Sequence, residues 1–212
     1  MKRVIFLAIC LATFISCKKE NKQQEENKTE TVAKATTYQV DPSVTTVEWT
    51  AYKTTAKTPV KGKFLNLNID SPIQAEAKQN AFEGLTFNIP VSSFFSNNEE
   101  RDTKIKTVFW AVMKETSLVS GNFSDVKGNE ESGTMNLNLK MNGETIAIPM
   151  QYSIVENKVL LNGTINNLLD WKMEEAFNSL HKACETLHTG EDGVSKTWQE
   201  VAINAVAVLK TK

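Results

Sequence analysis

The chain has 212 residues, 41% of them hydrophobic and 23% charged, which suits one globular domain with a sizeable core and excludes a low-complexity or fibrous chain. Its 24 basic and 25 acidic side chains leave a formal net charge of −1 with no basic stripe, so nucleic acid is not an expected partner. Its 3 cysteines, Cys10, Cys17 and Cys184, are too few and too scattered for a disulfide framework.

Lys2 and Arg3 precede an apolar run from Val4 to Ile15, too short to cross a bilayer but suited to the centre of a secretory signal peptide over residues 1–16. The run ends in Phe14-Ile15-Ser16-Cys17, which resembles the lipobox of bacterial lipoproteins, with Phe14 where Leu is usual. That resemblance implies acylation of the Cys17 thiol and a membrane anchor at the mature N-terminus. Cys184 would then be the one cysteine left, and no intrachain disulfide can form. From Lys18 to Thr37 there is no aromatic residue, and Val32 is the only sizeable aliphatic. Residues 17–37 therefore read as a lipidated cysteine followed by a disordered tether, with a reach of roughly 25 Å. Lys18-Lys19-Glu20 resembles an outer-surface export signal of some Bacteroidetes lipoproteins. The expected location is thus across the inner membrane, on a periplasmic or outer-membrane lipoprotein open to surface exposure.

The folded domain is expected over residues 38–212. Val44, Thr46, Val47, Trp49 and Ala51 mark a first strand rich in β-branched residues. A second runs from Val60 to Ile69, with Leu65, Leu67 and Ile69 alternating and Gly62 marking a bend. Leu85, Phe87, Ile89 and Val91 make a third, and Leu118 to Val126 a weaker fourth. The strongest pattern spans Met135 to Ile165. Met135, Leu137, Leu139 and Met141 occupy odd positions; after Asn142-Gly143, Ile146, Ile148, Met150, Tyr152 and Ile154 occupy even ones. A two-residue hairpin turn requires that change of parity, and Asn-Gly tolerates the positive φ it needs. The register follows: Met141 opposite Glu144, Leu139 opposite Ile146, Leu137 opposite Ile148, Met135 opposite Met150. Parity changes again at Glu156-Asn157, setting Ile154 against Val159 and Tyr152 against Leu161. A last strand covers Trp198 to Leu209. Eight short, mostly turn-linked strands predict an all-β fold with two short helices, an eight-stranded antiparallel barrel or sandwich.

The helices are expected from Asn97 to Met113, with Ile105, Val108, Phe109 and Val112 at three-four spacing, and from about Met173 to Leu187, within an insert at 172–188. The second carries one stripe, Met173, Phe177, Leu180, Cys184 and Leu187, before Gly190. Both read as lids over the barrel ends.

Catalytic chemistry is hard to find. His181, Cys184 and His188 fall at i, i+3 and i+7 and are of metal-binding type, but Cys184 belongs to the apolar stripe, where it acts as a small hydrophobe. The adjacent carboxylates, such as Glu99-Glu100 and Glu174-Glu175, point in different directions on a helix. Arg101-Asp102 reads as a helix-start pair. No phosphate loop, nucleophile elbow or metalloprotease motif is present. A binding protein is therefore expected, not an enzyme, with no catalytic or metal site. The apolar face of the meander is either a packed core or the wall of a hollow holding a small ligand; periodicity does not separate the two. That face carries no inward charge apart from Glu144, so a ligand there is expected to be neutral and apolar along its length.

Several segments in order resemble the YceI-like family of bacterial lipocalin-like barrels that bind polyisoprenoid lipids. They are Tyr38-Gln39-Val40-Asp41-Pro42-Ser43 with Val47-Glu48-Trp49, Val60-Lys61-Gly62-Lys63-Phe64, Glu100-Arg101-Asp102, and Gly133 to Ile148 with Leu137, Leu139, Gly143 and Thr145. The chain departs at Thr103-Lys104-Ile105, where members often carry a His, and in its longer second helix. The resemblance implies a lipocalin-like barrel that carries or stores an isoprenoid or other long-chain lipid, with no cofactor and no catalysis, and the lipobox adds the membrane tether. The candidate lining residues are Trp49, Phe64, Phe87, Ile89 and Phe109, with Leu137, Leu139, Ile146, Ile148 and Met150 from the meander. The alternative is a cell-envelope interaction lipoprotein with a solid barrel core.

Overall fold

Among the described residues, β-branched and alternating side chains assemble nine antiparallel strands. In chain order these are β1 (Tyr38–Lys53), β2 (Thr58–Phe64), β3 (Thr86–Pro90), β4 (Phe94–Phe95), β5 (Leu118–Gly128), β6 (Ser132–Met141), β7 (Glu144–Val155), β8 (Lys158–Ile165) and β9 (Thr197–Thr211). This computed structural model describes residues 35–115 and 117–212. The expected signal peptide, the Cys17 anchor and the tether up to residue 34 lie outside the described residues.

The meander has the register its parity predicts. Met141, Leu139, Leu137 and Met135 face Glu144, Ile146, Ile148 and Met150. Tyr152 faces Leu161, and Ile154 faces Val159. Asn142 and Gly143 take φ of 49° and 79°, the mirror-image turn that matches strand twist. Met135, Leu137, Leu139, Met141, Ile148, Met150, Tyr152, Val159 and Leu161 are buried, while the alternate residues face outward.

The strand order is β3-β5-β6-β7-β8-β9-β1-β2-β4. The sheet curls until its edges meet, giving a nearly closed barrel. Across the seam Asn68 and Asn88 exchange both backbone hydrogen bonds, at 2.9 and 3.0 Å. The eight expected strands are present, and the ninth, β4, has 2 residues, too few to leave a periodic signal.

The second strand is shorter than its alternation predicts. β2 ends at Phe64, and Leu65 donates its N–H to the Ser93 carbonyl and turns its side chain outward, 58% exposed. Leu67 and Ile69 still pack against the core. The chain leaves the ladder here to cross to β3, so the run cannot remain one strand.

Asn98 caps α1 (Glu99–Val108), its side chain accepting from the Arg101 N–H at 2.8 Å. α2 (Glu174–Ala183) follows the fully buried Met173. The two helices pack on each other at the barrel end marked by Lys53, not at opposite ends. The Tyr38 end is covered by the 3-10 turn Lys78–Phe82, packed on β1 and β5, with Ala81 and Phe82 buried. Both predicted helical stripes fray at their last members. Val112 and Leu187 are 39% and 58% exposed, because α1 stops at Val108 and α2 at Ala183, and the 3-10 turns that follow rotate the chain.

Candidate functional site

β1 directs Trp49 inward, where its ring stacks on Phe94 at 4.8 Å and 16°. Opposite Trp49, β2 places Gly62, and a Cβ there would lie 2.1 Å from the indole. The glycine read as a bend signal thus makes room for the tryptophan. Phe64 meets Phe94 edge-on at 5.8 Å, and Phe82 and Phe87 approach Phe123 at 5.5 and 5.8 Å. Large rings hold the wall apart, and the barrel encloses a cavity of about 630 Å³. That equals the liquid volume of roughly 20 waters and falls within the range of small-molecule sites.

Trp49, Phe64, Phe87, Ile89, Phe109, Leu137, Leu139 and Met150 all border this cavity. Ile146 and Ile148 do not. They keep the inward parity, but they pack in the core cluster that includes Trp171 and Met173, from the insert that folds against β7. Residues not named as candidate lining also border the hollow: Phe177, Leu180 and Cys184 of the α2 region, and Val201, Ile203 and Ala205 of β9. The apolar stripe of the second helix was the available signal for the first three.

The charged lining departs from the neutral site expected from the meander. Lys53, at the end of β1, and Arg101 and Lys104 of α1 border the cavity at its helical end. Lys53 continues the inward parity of Trp49 and Ala51 and was legible as such. Arg101 and Asp102 do not pair with each other. Asp102 is buried and accepts from the N–H and hydroxyl of Ser96, which ties α1 to β4.

His181, Cys184 and His188 do not converge as ligands. His181 Nδ1 and His188 Nδ1 lie 2.9 and 2.6 Å from the same Thr197 hydroxyl. That hydroxyl has one proton to donate and two lone pairs, so at least one of the two imidazoles carries its proton on Nδ1 and donates. Burial raises the Cys184 thiol pKa, against the opposing influence of Lys104 and Lys53. Burial, with Lys53, His181 and Lys104 adding repulsion, lowers the His188 pKa to about 4. An unfolded histidine titrates near 6.5. Between those values the unfolded chain binds the extra proton, so His188 destabilises the fold as pH drops from about 6.5 toward 4. His188→Gln should therefore flatten the loss of Tm between pH 7 and pH 4.5 relative to wild type, as read by thermal denaturation; an unchanged slope would refute it.

A nearly closed antiparallel barrel, hollow and walled by aromatic and aliphatic side chains, is a barrel of the lipocalin-like class. The chain belongs to the YceI-like domain family, whose profile matches residues 38–208. Solved structures share the fold. A polyisoprenoid binding domain from Saccharophagus degradans implicated in plant cell wall breakdown superposes with a TM-score of 0.57 at 11% identity, covering 82% of this chain and 98% of that one. The Campylobacter jejuni YCEI protein gives a TM-score of 0.52 at 19% identity, covering 72% and 85%. Among curated proteins, none matches the chain.

Proposed function

We propose that this protein binds, stores or transports a long-chain apolar lipid of isoprenoid type inside its barrel, without catalysing a reaction, while tethered to a bacterial membrane through acylated Cys17. The 630 Å³ apolar hollow carries the reading. Membership of the YceI-like family and the likeness to a polyisoprenoid binding domain support the ligand class. Burying ten carbons at about 0.8 kcal/mol each yields roughly 8 kcal/mol before the entropic cost of association, enough for a useful carrier. The apolar run ending at Cys17 supports export and anchoring. A solid-core interaction protein would not keep a chamber of this size.

The test is organic extraction and mass spectrometry of the full chain purified from its native membrane. A prenyl or other long-chain lipid should appear at close to one per protein. Protein recovered lipid-free, and taking up none from added prenol, would overturn the reading.

A further inference from the structure

We propose that the helical end of the cavity is a head-group site for an anion, so that the ligand is a single-chain amphiphile carrying a phosphate or carboxylate. This deepens the carrier reading and rests on it.

Charge in the lining is segregated. The apolar chamber runs from Phe82 at one end to Lys53, Arg101 and Lys104 at the other. These cations are poorly compensated. Lys53 Nζ donates to the Leu187 carbonyl at 3.1 Å and meets no carboxylate among the described residues. The Arg101 guanidinium has one long contact, 3.5 Å to the Ser96 carbonyl. Lys104 lies 3.8 Å from Glu100, a carboxylate that also borders the cavity, with its side chain 87% exposed. Asp102, the carboxylate next to Arg101, is occupied by Ser96. Glu48 and Lys61 also border the cavity, from strand positions that alternate with the inward Trp49 and Val60.

Trp49 and Trp110 border the cavity with their rings, while their indole nitrogens are fully buried and add no donor to this end. His188, which also borders the cavity, has its pKa lowered chiefly by burial, with Lys53, His181 and Lys104 adding repulsion. The end of the chamber therefore sets three cations against the one exposed carboxylate of Glu100, in a concave apolar setting that strengthens its field. An anionic head accepts from several of these groups at once, and a guanidinium offers two parallel bonds to phosphate or carboxylate oxygens.

The experiment titrates the full chain with two matched pairs, geranylgeranyl phosphate against geranylgeraniol and oleate against oleyl alcohol. At low salt the phosphate should bind at least about tenfold more tightly than its alcohol, with the margin shrinking as salt is raised. Lys53→Met and Lys104→Met keep the apolar stems, and together they should abolish that margin, measured against the same variant's own affinity for the alcohol. An advantage for geranylgeranyl phosphate alone assigns a phosphate head; one for oleate alone assigns a carboxylate head; either supports the proposal. Equal affinity for charged and neutral members of both pairs overturns it and leaves the carrier reading standing. Binding of none of the four removes both.

Discussion

Trp171→Ala should lower the unfolding free energy by about 3–5 kcal/mol, the largest single-residue loss expected in this barrel. Trp171 is 1% exposed and sits in the 3-10 turn Leu168–Trp171, where the chain leaves β8 for α2. Its indole N–H donates to the Leu139 carbonyl at 3.0 Å. The Asn142 side-chain amide, from the β6–β7 turn, donates to the carbonyls of Trp171 and Lys172, both at 2.8 Å. These contacts fasten the insert to the hairpin, and truncation leaves a void and removes the indole's bond to the Leu139 carbonyl. For a domain of this size the midpoint should drop by roughly 10 °C. Trp171→Phe keeps most of the buried area and should lose much less. Leu187→Ala, at an exposed position, should stay within about 0.5 kcal/mol. Denaturant titration of the three variants checks the order, and a Trp171→Ala protein as stable as wild type would contradict it.

Leu139→Lys should reduce lipid uptake more than a hundredfold, while Asn138→Lys leaves it unchanged. The two positions are adjacent in β6 and face opposite ways. Leu139 is buried and borders the cavity, whereas Asn138 donates to the Ser124 hydroxyl on the outer face. An ammonium set among Leu137, Met150 and the bound chain would lack an anion, and a penalty of about 3 kcal/mol already exceeds a hundredfold in affinity. Mass spectrometry of lipid retained by the two folded variants measures the effect. Equal retention would mean that the lipid lies elsewhere. Leu139→Met, similar in volume and uncharged, should retain it.

The meander shows how far one-dimensional pattern reaches. Which side each residue of β6, β7 and β8 faces is set by the two-residue repeat of an extended chain, and the turns at 142–143 and 156–157 supply the parity changes. Those quantities are local, so the register and the buried methionines could be read before any contact was known. The pairing of Gly62 with Trp49 was hidden, because it joins residues on different strands.

Amino-acid order by itself determined the class of barrel, the greasy face and the register of its central hairpins, since a strand's backbone geometry assigns side chains to faces without help from the rest of the molecule. Tertiary structure alone decided that the interior is hollow, that α1 and α2 gather over the same end, and that Ile146 and Ile148 serve the core and not the cavity wall. It also decided that Lys53 of β1 meets Arg101 and Lys104 of α1 at one rim. Each of these depends on where the long connections at 91–117 and 166–196 travel, and that route is chosen by packing among residues far apart in the chain.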